Sequence, residues 1–175
     1  MELCIIPECY IDTNLIETLV PPRKGYNHQK GCGTVTAVMK SKFRDSFALG
    51  IIDKDKQQVD YLKEFNLVHQ FDNLFLHKHQ TRHHYIIQIS PAIESFLVAG
   101  ANAAELSLDD FNLPIDFDRL KKVSKSVNSK DDPRFKKLIR GIVKAQAPEF
   151  VKLSNWIKYL KDKNYNFQLD ELVKL

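Results

Sequence analysis

The chain has 175 residues, a formal charge of +4 and 43% apolar residues, the size of one domain or of one domain with a tail and enough for a core without staples. Its three cysteines, Cys4, Cys9 and Cys32, have no CxxC spacing, which excludes a disulfide framework and a zinc knuckle as readings of the sequence. A reduced, cytoplasmic setting is expected. No apolar run approaches the length of a membrane span, and Met1 leads into a strand-like segment without a basic leader, so neither a spanning nor a secreted chain is expected.

The charge is unevenly placed. Residues 1–118 carry 11 basic and 16 acidic side chains, whereas 119–163 carry 14 basic and 4 acidic ones. A basic block beside an acidic region suits a polyanion whose phosphates need both a metal and a cradle of lysines. A solvated helix face explains such a run equally simply.

Residues 2–6 read as a first strand closed by Pro7 and Glu8. Ile11, Leu15, Ile16 and Leu19 then recur at helical spacing, which puts Asp12 in the first turn, where the helix dipole alone gives an aspartate a role. Pro21 and Pro22 stop this helix, and a short second strand is expected around 26–29. Lys30, Gly31 and Gly33 precede a helical face of Val35, Val38 and Met39; a glycine-rich helix entry exposes backbone N–H groups, so 30–34 is a candidate phosphate site.

The run Ala48, Leu49, Ile51 and Ile52 is too short and continuous for a surface helix and suits a strand buried on both faces. It ends in Asp53 and Asp55. Adjacent carboxylates repel, so a pair at the carboxyl end of a central strand reads either as half of a Mg²⁺ site or as a solvated turn with Asp55 as a helix cap. Lys54 and Lys56 stand beside them, able to steer a phosphate or to be solvated. A helix over 58–65 is expected to turn Val59, Leu62 and Phe65 inward, followed by strands at 67–71, 74–77 and 84–89. His77, His79, His83 and His84 lie in and beside the polar turn 78–83 between the last two strands; the spacing does not specify zinc, and a solvated turn facing nucleic acid is the favoured reading. Pro91 suits a first helical position of a helix over 92–104, which places Glu94 in its first turn.

Composition changes after residue 106. Helical stripes begin at Leu120 and Val123, recur at Phe135, Leu138, Ile139, Ile142 and Val143, and again at Phe150, Leu153, Trp156, Ile157 and Leu160, with Pro148 separating or kinking the last two. The expected architecture is an α/β unit over 1–106, a mostly parallel sheet flanked by helices, with a basic helical C-terminal extension over 107–175 packed on it.

Glu8, Asp53, Asp55 and Glu94 all fall where strands give way to helices. In this order the chain resembles the Toprim domain of primases, topoisomerases and overcoming-lysogenization-defect nucleases: a glutamate after the first strand, here Glu8 in CIIPECYID, and a DxD pair after a later one, here Asp53 and Asp55 in GIIDKDK. Asp12 resembles the additional acidic residue of the nuclease branch, and SPAIESFL resembles the IE-containing motif of stand-alone Toprim-like proteins found beside ATPases in bacterial anti-phage systems. Cys9 stands where the family usually has glycine. The resemblance implies a Toprim-like sheet over about residues 1–104. It also implies Mg²⁺ or Mn²⁺ held by Glu8, Asp12, Asp53, Asp55 and Glu94, with catalysis by Glu8, Asp53 and Asp55. The chemistry expected is metal-dependent phosphodiester hydrolysis of DNA or RNA, as the effector of an anti-phage system with a partner ATPase. Lys30, Lys54, Lys56, Lys136, Lys137 and Arg140 are the candidate phosphate contacts. Two other readings stay open: a non-catalytic module binding nucleic acid or an ATPase, and a receiver-like phospho-acceptor domain at Asp53, which lacks the acidic pair expected after its first strand.

Overall fold

The computed structural model describes residues 2–54 and 59–175. Five strands, β1 (Ile5–Pro7), β2 (Ala48–Asp53), β3 (Phe65–Phe71), β4 (Leu74–His79) and β5 (His84–Ile89), form one sheet in the order β1-β2-β5-β4-β3. β1, β2 and β5 are parallel neighbours, while β4 pairs antiparallel with both β5 and β3. Only β4 therefore runs against the other four, and the sheet is mixed. The first strand is shorter than the apolar run 2–6 suggests and includes Pro7; the expected strand at 26–29 is a single bridge between Glu2 and Tyr26.

Alternation along the strands divides the core. Leu49 and Ile51 of β2 face one side with Ile5, Leu76, Ile87 and Ile89, and Ala48 and Ile52 face the other with Ile6 and Ile86. The second face is covered by α2 (Cys32–Lys42) and by a 3₁₀ turn, Asp60–Glu64, in place of the expected helix over 58–65. Its buried side chain is Tyr61, Phe65 belongs to β3, and Val59 and Leu62 are only partly buried.

The first face carries the rest: α1 (Tyr10–Leu19), α3 (Ile93–Ala103), α4 (Phe117–Ser124), α5 (Pro133–Lys144), α6 (Pro148–Lys163) and α7 (Leu169–Val173). Their apolar stripes and the sheet share one cluster that runs in sequence from Ile5 to Leu172, with Trp156 at 0% exposure inside it. Pro148 starts α6 rather than kinking a longer helix, as suits a residue with no N–H to leave unpaired. Pro91 lies outside α3, which begins at Ile93 after Ala92, and the Ser90–Pro91 peptide is cis. No helix among the described residues is long and apolar enough to cross a membrane.

α3 and α6 meet at Gly100, where an added Cβ would overlap the Phe150 ring, itself stacked on Phe96 with centroids 4.5 Å apart. That ring cannot swing away without disturbing the core. Gly100→Val is expected to cost about 1–3 kcal/mol from overpacking, despite a helix-propensity gain of less than about 1 kcal/mol, and a lowered urea midpoint would show it.

Candidate active site

Because β1, β2 and β5 point the same way, their carboxyl ends lie along one rim of the sheet, and each end delivers a carboxylate there. Glu8 follows β1, Asp53 closes β2, and Glu94 enters with α3 after β5. The Glu8 N–H donates to the Ile51 carbonyl at 3.0 Å, extending the ladder by one residue, and the Glu8 carboxylate in turn accepts from the Asp53 N–H through Oε2 at 3.0 Å. Asp53 Oδ1 accepts from the Ile93 N–H at 2.9 Å, which ties the end of β2 to the start of α3. Glu8 and Asp53 thus meet at this rim through a carboxylate-to-backbone hydrogen bond.

Asp12 is brought in by the cap of α1. Cys9 is the N-cap: its Sγ accepts from the Asp12 N–H at 3.4 Å while Asp12 Oδ2 accepts from the Cys9 N–H at 3.0 Å, a reciprocal box with a thiol in the usual hydroxyl position. Asp12 is 1% exposed, and its Oδ1 is buried without a hydrogen-bond partner. Glu94, also buried, accepts from the Ser124 hydroxyl at 2.5 Å through Oε1. Ser124 ends α4, so the helical extension closes the site.

Asp12 and Asp53 both lie in the field of Glu8 and Glu94. Burial pushes the Asp53 carboxyl up to about 9, with the charges of Asp12, Glu8 and Glu94 adding to it against the Ile93 N–H. Burial likewise pushes Asp12 up to about 7, opposed by its hydrogen bonds from Cys9 and reinforced by Glu8 and Glu94. Burial and the neighbouring Asp12 charge raise the Cys9 thiol well above its ordinary range, which favours its protonated form.

A cleft of about 430 Å³ opens over Glu8, Asp53 and Glu94, with Tyr10 in one wall and Lys121 and Lys125 in another. Among the described residues, no three His, Cys, Asp or Glu side chains already stand as a group that could hold one ion. Asp55 and Lys56 lie outside the described residues. The donor set nevertheless suits a hard cation: all-oxygen, at least doubly negative when ionised, with one oxygen of Asp12 buried and unsatisfied.

The predicted phosphate contacts are dispersed. Lys30 is near the cleft, its Nζ 5.7 Å from the Tyr10 ring, and the Gly31 N–H donates to the Glu8 carbonyl at 3.2 Å, with Gly31 at φ +88° making the turn. Lys54 lies over Phe75 at 3.3 Å. Lys136 and Arg140 line a separate depression with Glu17 and Pro21, and Lys136 pairs with Asp131; Lys137 is exposed on the same helix, α5. The cleft lysines are instead Lys121 and Lys125, which no feature of spacing sets apart from Lys136 and Arg140 within the basic block.

The histidines do not form a solvated turn. His84 Nδ1 is 2.7 Å from the Tyr61 hydroxyl and its Nε2 2.7 Å from the Phe43 carbonyl, His79 Nε2 is 3.1 Å from Glu64, and both rings are buried. Of the four only His83 is exposed.

No family model, curated protein or solved structure matches the chain.

The raised carboxyls set a pH dependence. The folded protein keeps protons on Asp12 and Asp53 that the unfolded chain releases near its ordinary value of 3.8, so the associated stability is complete below about pH 4 and is lost as pH rises through about 7 and about 9. Without metal, the melting temperature is expected to fall between about pH 5 and about pH 9, and Asp53→Asn to flatten that slope. Thermal melts of both proteins across this range provide the measurement.

Proposed function

We propose that the chain is a metal-dependent nuclease whose centre is formed by Glu8, Asp12, Asp53 and Glu94, with Asp55 beside them in sequence. A Toprim-like sheet, the anti-phage setting and a partner ATPase belong to the same proposal and rest on the sequence resemblance. The observation that carries the reading is the unpaired, buried Oδ1 of Asp12, whose charge acts on Asp53, together with Glu8, Asp53 and Glu94 lining one lysine-walled cleft. Without a cation, that arrangement holds protons on Asp12 and Asp53 well above the ordinary carboxyl range and leaves a lone pair unsatisfied.

Hydrolysis of a phosphodiester needs a deprotonated water and a partner for the charge that builds on phosphorus and the leaving oxygen. Mg²⁺ or Mn²⁺ held by Glu8, Asp12, Asp53 and Glu94 supplies Lewis acidity when bound. The chain's own groups do the rest. Glu8, held by the Asp53 N–H, would serve as a ligand to the ion or take the proton from water. Lys121 and Lys125 draw the phosphate into the cleft and offset its charge. Ser124 fixes the rotamer of Glu94, a positioning role.

Incubation with single- and double-stranded DNA, total RNA and tRNA in Mg²⁺ or Mn²⁺ is expected to show cleavage that chelator abolishes. Asp53→Ala and Glu8→Ala, checked for fold by circular dichroism, are expected to reduce it by about 10²-fold or more. Absence of cleavage on every substrate and metal, with salt-sensitive binding indifferent to both substitutions, would leave the non-catalytic binding module as the better reading. Ser124→Ala is expected to weaken Mn²⁺ binding by about 10–100-fold, the usual scale for an outer-shell partner, and calorimetric titration of the two proteins measures it.

A further inference from the structure

Tyr10 occupies the first position of α1 and is half-buried, yet it belongs to neither apolar cluster, and its hydroxyl makes no hydrogen bond among the described residues. Its ring is held all the same. It stacks on His28 with centroids 4.2 Å apart and planes 20° from parallel, and His28 Nδ1 lies 3.0 Å from the Thr13 hydroxyl, which donates to the Cys9 carbonyl at 2.8 Å. Since that hydroxyl proton is committed to Cys9, the imidazole Nδ1 is the donor between the two. Burial holds His28 below its ordinary value, with Lys130 and Lys30 adding to it, so the backing ring is neutral. A half-buried aromatic, backed by a fixed neutral ring and set in the wall of a cleft floored by carboxylates, has the construction of a stacking platform.

Lysines surround it. Lys30 stands 5.7 Å from the Tyr10 centroid and is exposed, with no ion pair among the described residues, so its ammonium can leave the ring for a phosphate. Lys121 and Lys125 line the same cleft from α4, and Lys130 lies close enough to act on His28. Every base has a π-face, but in a duplex those faces are covered by neighbouring pairs, so an isolated ring beside a basic wall selects unpaired strands.

We propose that the cleft binds single-stranded nucleic acid, with one nucleobase stacked on Tyr10 and the adjoining phosphates on Lys30, Lys121 and Lys125. This names the substrate class of the centre described above and rests on that reading for its relevance to cleavage, while the stacking itself is measurable without it.

The test uses the full chain at low salt in chelator, where no bond is broken, with a single-stranded oligonucleotide carrying 2-aminopurine, in deoxyribose and ribose forms. Wild type and Tyr10→Phe are expected to quench the probe and bind it alike. Tyr10→Leu and Tyr10→Ala are expected to lose the quench and bind ~5–150-fold more weakly, with unchanged circular dichroism; should the alanine variant misfold, the leucine and phenylalanine pair decides. Preference for one sugar identifies the substrate and supports the proposal. No quench by wild type in either form, a leucine variant that binds like wild type, or a duplex bound as tightly as its single strand overturns it. Quenching that depends on Tyr10 with no cleavage in any metal keeps the platform and removes the nuclease reading; metal-dependent cleavage that is equal on duplex and indifferent to Tyr10 does the reverse.

Discussion

The structure turns on how one rim of a sheet tolerates several carboxylates. Two ionised groups about 4 Å apart repel by about 4 kcal/mol at the effective dielectric near a protein surface, and here Glu8 and Glu94 act on both Asp12 and Asp53, and Asp12 acts on Asp53. Each is met by a donor: the Asp53 N–H on Glu8, the Cys9 N–H on Asp12, the Ile93 N–H on Asp53 and the Ser124 hydroxyl on Glu94. Three of those donors are backbone groups at the ends of regular elements, where they would otherwise want partners. The same bonds therefore cap the chain and orient the acids. Protonation relieves what repulsion remains; the divalent ion of the proposed function would relieve it without surrendering the charge.

The strand that anchors this rim is legible in the sequence because burial on both faces leaves a signature: Ala48 to Ile52 has no polar residue, and Asp53 marks where the cover ends. Glu8 is legible for the same reason. Parallel pairing of β1, β2 and β5 makes the equivalence real, since it puts the ends of three separated segments side by side. Periodicity fails where elements are short or carry polar residues inward. Tyr61 sits in a single 3₁₀ turn that offers no repeat to read. His79 and His84 look solvent-facing as residue types, yet they are buried because Tyr61, Glu64 and the Phe43 carbonyl supply partners from distant segments. Cys9 illustrates a different limit. A thiol is a poor helix cap in general statistics, and only the geometry shows that its sulfur takes the Asp12 N–H while the Cys9 N–H holds the carboxylate most deeply buried at the site.

The basic helices were readable as helices and as basic, but their relation to the acidic rim was not, because it depends on a few long-range polar contacts. Asn14, fully buried on α1, donates to the carbonyls of Ser129 and Asp132 at 2.7 and 3.2 Å, and the Ser129 hydroxyl donates to the Ser124 carbonyl at 2.6 Å. Ser124 then reaches Glu94. A single path thus runs from the first helix through the turn at 124–132 to the acid on α3. Leaving any of these buried polar groups unmatched costs about 1–3 kcal/mol, so the segment has little freedom to sit elsewhere. Lys121 and Lys125 flank Ser124, and the bond that seats the serine also seats them at the cleft. The opposite charges of the two ends of the chain are in this way brought together by neutral contacts. The serine seats Lys121 and Lys125 at the cleft with no ion pair of theirs among the described residues, which in the proposed reading keeps them for a phosphate.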